Sequence, residues 1–380
     1  MTAIGKRAFK NCIELTEIDL PDSVQSVGGL CFYNAGITRL SIGSSLRDIG
    51  QYAFCYCHRL DSITAAEGST AFRVIGGALY SADASELILY PAAGAASYAI
   101  PAGVTAIRAG AFSGAKNLTA VTIPATVTSI DPNAFDGCAS LLSVTVPAGV
   151  TRIENETFFN CKALESVTLP AGITFIGEYA FFNCKVLESL TLPEGLTVIG
   201  NSAFRDCEAL TCAAIPDSVT EIGEYAFEST GLTSVTLPAG LAGISDELFA
   251  YCADLRTVTI PDSVTAIGNE AFYGCESLRD ILYTGSRAQW ELISVGRYND
   301  PLLAAALHCG ITAVLTLPAD LTAIESEAFA GLPNVDGIRI PAGVTDIAPD
   351  AFDSGVTLIV PAGSGWAQWA AENGYAACEE

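Results

Sequence analysis

Only two histidines, His58 and His308, occur in the 380 residues, so acid–base or nucleophilic chemistry built on imidazole has little to draw on. Cations are scarce as well: 18 Lys and Arg stand against 42 Asp and Glu, a net charge of −24. The deficit is uneven. Residues 1–73 balance seven basic against seven acidic side chains, and residues 74–380 carry the whole excess, 11 against 35. Nucleic acid and anionic membrane are poor partners for such a surface, and the acidity is read as keeping a sheet-rich surface soluble. No apolar run is long and unbroken enough to span a bilayer, and no basic-then-apolar leader opens the chain. The sequence begins in mid-unit, with Ile4-Gly5-Lys6-Arg7-Ala8-Phe9 already the second half of a repeat. That opening is expected of a fragment boundary, and the missing leader therefore says nothing about location. No glycine-rich loop follows a strand and opens a helix in the manner of a phosphate site.

What the sequence has in abundance is repetition. Prolines stand at Pro101, Pro124, Pro147, Pro170, Pro193 and Pro216, each 23 residues after the last. Val127, Thr128, Ile130, Ala134, Phe135, Cys138, Leu141, Val144 and Thr145 recur one period later as Val150, Thr151, Ile153, Thr157, Phe158, Cys161, Leu164, Val167 and Thr168. A fixed period in this range marks a solenoid. Within each unit Leu118, Val121 and Ile123 have the spacing of a short strand with Ala120 and Thr122 facing away, one rung of a parallel sheet. The second half, as in Ile176-Gly177-Glu178-Tyr179-Ala180-Phe181, places Ile176, Ala180 and Phe181 at i, i+4 and i+5. That spacing predicts one helical or 3₁₀ turn against the strand layer, with Asp131-Pro132 reading as N-cap and first helical residue. Pro-Ala-Gly turns join the halves at 101–103, 147–149, 170–172, 238–240 and 341–343. The inward side chains of one unit cannot offset the ordering of its backbone, so units must share faces and ladder bonds.

The expected fold is an α/β solenoid of 23-residue units, a parallel β-sheet on one face and short helical or 3₁₀ turns on the other, running through residues 1–380 as one domain. Units ending between Phe9 and Phe352, stacked at ~4.8 Å, give a rod or arc on the order of 60 Å long. Two insertions interrupt it. Residues 64–100 read as a hairpin, Gly76–Tyr80 and Glu86–Pro91 about a polar turn. Residues 281–317 read as one or two short helices, from Ala288–Ile293 and Leu302–His308. Residues 361–380 read as a C-terminal cap, with Ser364 as N-cap, Gly374 as stop signal, and Trp366 and Trp369 covering the last rung. Eight of the thirteen cysteines, Cys12, Cys57, Cys138, Cys161, Cys184, Cys207, Cys252 and Cys275, share one column that Ala115 also occupies. This is the behaviour of small buried residues, so reduced thiols are expected rather than a disulfide framework.

The unit Pro-x-x-Val-Thr-x-Ile-Gly-x-x-Ala-Phe-x-x-Cys resembles the BspA-like, or Treponema-pallidum-type, leucine-rich repeat. The irregular parts are similar too: Gly77-Ala78-Leu79-Tyr80 with Leu89-Tyr90-Pro91, Tyr283-Thr284-Gly285 with Gln289-Trp290, and Ala371-Glu372-Asn373-Gly374. The resemblance implies a bacterial, sometimes protist, surface or secreted protein that adheres to host matrix proteins or other cells. It supplies no catalytic residues.

Candidate sites follow from the residues left facing outward. The strand face offers two hydroxyl columns, Ser143, Ser166, Ser189, Ser234 and Thr257 beside Thr145, Thr168, Thr191, Thr236 and Thr259. Small hydroxyls are good strand-surface residues in their own right. Phe159, Phe175, Tyr179 and Phe182 crowd into two adjacent units outside the expected core, and such a cluster supplies contact energy. No cofactor and no metal are expected. Cys55-Tyr56-Cys57-His58 lacks a second ligand pair, and the acidic steps Glu221, Glu224, Asp246, Glu247 and Glu270 read as solvated carboxylates before they read as a cation site. A β-helix polysaccharide-active enzyme needs converging acids and bases, whereas Arg108, Lys116, Arg152 and Lys162 are scattered. A passive spacer in a larger surface protein is the other alternative. An uncovered first rung also predicts end-to-end self-association or disorder of the first residues.

Overall fold

The computed structural model describes residues 2–310, 314–329, 337–353 and 355–379. The chain forms two compact units, residues 1–210 with 221–230, and residues 211–220 with 231–380.

In the first unit most coils lay down two short parallel strands. The longer one builds a front ladder, with Ser97–Ala99, Ala120–Thr122, Ser143–Thr145 and Ser166–Thr168 as successive rungs. Register advances by one coil, Ser143 to Ser166, Val144 to Val167 and Thr145 to Thr168. The Thr-x-Ile segment builds a second, side ladder of Arg152–Ile153, Phe175–Ile176, Val198–Ile199 and Glu221–Ile222. Alternation explains both: Val144 and Ile153 are buried while Ser143, Thr145 and Arg152 face solvent.

The turns after the side strand are present, but they do not wind into a helix. Ala180, Phe182 and Cys184 donate to the carbonyls of Gly177, Tyr179 and Phe181, the i→i−3 bonds of a tight turn. Between them Tyr179, Phe181 and Asn183 donate to Asn201, Ala203 and Arg205 of the next coil at 2.8–2.9 Å. The alternation requires a left-handed residue two places before and two places after each phenylalanine, as at Tyr179 (φ 53°) and Asn183 (φ 59°). Among the described residues, every non-glycine positive φ except those of Ala84 and Tyr298 falls in these two columns. Asp131-Pro132 therefore opens no helix, because Asn133 follows at φ 60°.

Between those columns the phenylalanines stack. Phe112, Phe135, Phe158, Phe181, Phe204 and Phe227 form a continuous pile with ring centroids 4.9–5.5 Å apart. Behind them the thiols of Cys138, Cys161, Cys184 and Cys207 donate to the phenylalanine carbonyl of the preceding coil at 3.1–3.3 Å. None of the thirteen cysteines is in a disulfide. Cys12 departs from the expected interior column: it is exposed, lying in the first coil that the structure describes.

The hairpin insertion has three strands, Phe72–Ile75, Ala78–Ser81 and Glu86–Leu89, successively antiparallel, and the last pairs in parallel with Ala106–Ile107 as a side rung.

In the second unit the front ladder holds Ser234–Thr236, Thr257–Ile260, Asp280–Tyr283 and Ala306–Cys309. Its insertion contains helices Arg287–Trp290, opened by a Ser286/Gln289 capping box, and Asp300–Ala304. The apolar run Leu302–His308 is thus helical only to Ala304. It then joins the sheet, where alternate burial governs instead of helical period. A further front ladder consists of Val314–Thr316, Gly337–Arg339, Thr357–Val360 and Ala376–Glu379. The terminal helix, Trp366–Glu372, starts from Gly365 (φ 80°) rather than Ser364, whose hydroxyl accepts the Trp366 N–H at 3.3 Å.

Candidate binding surface

The position after the phenylalanine is buried in some coils, as at Ser113 and Asp136, and reaches the surface in others, while the phenylalanine itself turns in. Phe159 and Phe182 occupy it in consecutive coils. Their rings stack at 4.8 Å and 10°, a separation that the coil repeat sets. Tyr179 closes the group edge-on, 6.3 Å from Phe159 and 5.8 Å from Phe182, and is 38% exposed. The same column continues with Arg205, whose Nε meets the buried Glu228 carboxylate at 3.0 Å and whose guanidinium lies 5.3 Å from the Tyr225 ring. An apolar platform with a cation beside it suits a flat contact with another protein.

Of the four aromatics singled out by sequence, Phe175 stands apart. It lies on the side ladder with the Arg152 guanidinium 3.7 Å above its ring, since the position two before Gly177 belongs to a strand and not to the turn. Ser143, Thr145, Ser166 and Thr168 are exposed and paired in register on the front ladder. Ser189 and Thr191 are exposed too, but Ser189 makes only an isolated bridge and Thr191 lies outside any strand. The aromatic group and the hydroxyl columns occupy different faces of the coils.

The columns behave differently in the second unit. Thr257 and Thr259 align with Ser234 and Thr236, yet Thr257 is buried and its hydroxyl donates to the Glu379 carbonyl at 2.6 Å. The later front ladder lies across this face, with Leu282, Ile359 and Cys378 meeting in one buried cluster. Beside that contact a cleft of about 560 Å³ is lined by Thr236, Thr259, Thr284, Val314, Thr316 and Arg339. The second unit also exposes Tyr251 (52%), Tyr273 (40%) and Tyr298 (59%), with Tyr251 and Tyr273 edge to face at 5.3 Å. Sequence reading passed over this patch. The signal was available, because Tyr273 occupies the column of Phe159 and Phe182.

The residues weighed for metal or catalysis are engaged otherwise. Cys55 and Cys57 are buried, and His58 Nδ1 lies 3.1 Å from the Gly114 carbonyl. His308 Nε2 pairs with Asp280 at 2.8 Å. Asp246 accepts the backbone and side-chain amides of Asn269 at 2.8 and 3.2 Å. Among the described residues, no three His, Cys, Asp or Glu side chains gather to hold a metal ion, and no helix is long and apolar enough to cross a membrane.

The family model for the BspA type leucine-rich repeat region, six copies, matches residues 1–82, 90–211, 151–279 and 306–359. The chain belongs to the BspA type leucine-rich repeat family. A leucine-rich repeat protein from Eubacterium ventriosum is 27% identical, with 60% of this chain and 68% of that one covered at a TM-score of 0.51. A leucine-rich cell surface protein from Faecalibacterium prausnitzii is 28% identical over 77% of this chain and 86% of its own, TM-score 0.45. The T. pallidum leucine-rich repeat protein is 26% identical over 56% and 89%, TM-score 0.41. No curated protein sequence matches the chain.

Proposed function

We propose that this chain is a non-enzymatic protein-binding module of a bacterial cell-surface or secreted protein, an adhesin that contacts host matrix proteins or other cells. The observation that carries this reading is the platform of Phe159, Phe182 and Tyr179, held solvent-facing by consecutive coils. Aromatic rings partly exposed on a rigid scaffold lose little entropy on contact and are the side chains that anchor protein interfaces. Ser143, Thr145, Ser166, Thr168, Ser189 and Thr191 offer a second, hydroxyl-lined surface on the strand face, and Phe175, apart from both on the side ladder, offers a further aromatic contact under Arg152. The bacterial repeat family supports the surface role.

The test replaces Phe159, Phe175, Tyr179 and Phe182 by Ser in one variant, and Thr168 and Thr191 by Arg in another. Attachment to immobilised matrix proteins and to host cells is then measured with both variants confirmed folded. Loss of attachment in the aromatic variant is expected, and unchanged attachment in both removes these surfaces. Attachment that needs flanking domains favours the spacer reading.

A further inference from the structure

The side ladder is interrupted inside the first unit. In regular coils the carbonyl of the buried side-strand residue, and that of the residue two before it, each take an N–H of the next coil: Thr151 and Ile153 from Thr174 and Gly177, then Thr174 and Ile176 from Thr197 and Gly200. Asp48–Ile49 ends this succession. It pairs with Ser26–Val27 on one side, and among the described residues no strand pairs with it on the other. The next strand available, Phe72–Ile75, turns into the hairpin and pairs with Ala78–Ser81 instead. Among the described residues no donor reaches the carbonyls of Arg47 and Ile49. The N–H of Tyr52, whose counterpart Leu30 donates to Gln51, likewise meets no acceptor.

A cleft of about 210 Å³ opens along this edge. It is lined by Asp48, Ile49 and Tyr52 and, from the hairpin and the coil beyond it, by Phe72, Ile88 and Arg108. Phe72 is buried, and Ile49, Tyr52 and Ile88 are half-buried. Of the charges around the cleft, Arg47 turns its guanidinium onto the Ser44 and Leu46 carbonyls at 2.9 and 3.0 Å. Arg108 lies between Glu86 and Asp131 at 3.6 and 3.5 Å. Asp48 is exposed and has no ion pair among the described residues.

These features select the occupant. Two carbonyls and an N–H along one strand edge are the complement of an extended backbone. An anion is repelled by Asp48 and by the carbonyls. A strand lying in register presents one side chain beside Ile49, where the lining is apolar, and one beside Asp48, where opposite charge facing across neighbouring strands is favourable. We propose that this gap binds an extended segment of a partner protein by strand addition, parallel to Asp48–Ile49, with Lys or Arg beside Asp48 and Ile or Val beside Ile49. The segment donates N–H groups to the Arg47 and Ile49 carbonyls and accepts from Tyr52. Phe159, Phe182 and Tyr179 take no part, and the site does not depend on the adhesin reading.

The probe is a fluorescein-labelled, C-terminally amidated peptide, Val-Thr-Arg-Ile-Gly-Asn, which repeats the Ile-Gly step of the regular coils. Its anisotropy is followed as the full chain is added. Saturable binding is expected, weakened tenfold or more by methylating the glycine nitrogen, whose N–H meets the Ile49 carbonyl, and by less than threefold on methylating the isoleucine nitrogen, which faces away. Replacing the peptide's arginine by glutamate is expected to weaken binding tenfold, and Asp48→Arg, an exposed substitution, to reverse that preference. In the complex, amide exchange at Tyr52 is expected to slow at least tenfold. No saturable binding, equal loss from the two methylations, a charge preference that Asp48→Arg leaves as it was, or binding without slowed exchange at Tyr52 each overturns the proposal.

Discussion

The hydroxyl of Tyr56 donates to Oδ1 of Asp136 at 2.5 Å, across 80 residues of sequence and over a whole intervening coil. It reaches there because Gly114 and Gly137, both at positive φ, leave a channel along which the ring lies. Asn133 donates to the second Asp136 oxygen at 3.5 Å and to Glu156 at 2.8 Å. Burial pushes the Asp136 carboxyl up to about 7; the Tyr56 and Asn133 hydrogen bonds oppose that rise and the Glu156 charge adds to it.

A pH dependence follows with a definite sign. A carboxyl that ionises near 3.8 unfolded and about 7 folded favours the fold most below pH 4. Its contribution declines as pH rises to about 7 and is constant above. The span is on the order of 4 kcal/mol. Asp136→Asn is expected to flatten the curve of denaturation midpoint against pH over that window and to raise the midpoint at pH 8. A slope unchanged by the substitution counts against the assignment.

Gly110 and Gly114 hold the junction where the coil of Phe54 meets that of Phe112. A Cβ on Gly110 would stand 2.2 Å from Cys55 Sγ, and one on Gly114 would stand 2.9 Å from the His58 ring, both at positive φ. Ala at either position is expected to cost about 3 kcal/mol. Ala at Gly240, with nothing within 4 Å, is expected to be neutral within ~0.5 kcal/mol in denaturant titration.

Thiol accessibility discriminates the columns. In the native chain Cys12 and Cys212 are exposed and Cys309 partly so, while the other ten are buried. Burial also holds the Cys55 and Cys57 thiols up at about 12. Rapid alkylation at pH 8 is expected at Cys12 and Cys212, slower reaction at Cys309, and the remainder only after denaturation. Disulfides found by thiol counting without reductant would contradict this.

Leu282 and Thr145 stand in one column of the repeat but in opposite surroundings, Leu282 buried against Ile359 and Cys378 and Thr145 in solvent. Leu282→Asp places an unpaired carboxylate in an apolar contact and is expected to release Ala376–Glu379, read as faster amide exchange in that strand. Thr145→Asp is expected to change stability by less than ~0.5 kcal/mol.

The period, the front ladder, the phenylalanine pile and the buried cysteines were legible because each repeats a side-chain type at a fixed position. The side ladder was not. Its two-residue strands are too short for alternation to declare itself, and Ile176, Ala180 and Phe181 satisfy helical spacing equally well. The left-handed columns are disguised by Tyr, Glu and Ser, which adopt positive φ here for the sake of bonds to the next coil. Tyr179 with Phe159 and Phe182 was found from crowding. Phe175 was grouped with them because sequence proximity does not separate strand from turn. The burial of Thr257 depends on Glu379, 122 residues away, and no local pattern announces it.

The bonds that run from Phe9, Phe32, Phe112, Phe135, Phe158, Phe181, Phe204 and Phe249 to the next coil begin and end on backbone atoms, whereas that of Phe272 ends on the Asn299 side chain. Exchange among the coils that carry Lys10, Tyr33, Phe159, Arg205 and Tyr273 after the phenylalanine would therefore keep these joints and change an outward side chain. Recombination between repeats of this kind would alter the contact surface without altering the joints. The coils of Tyr56, Gly114 and Gly137 are the exception, since they fit only one another and must be inherited as a block.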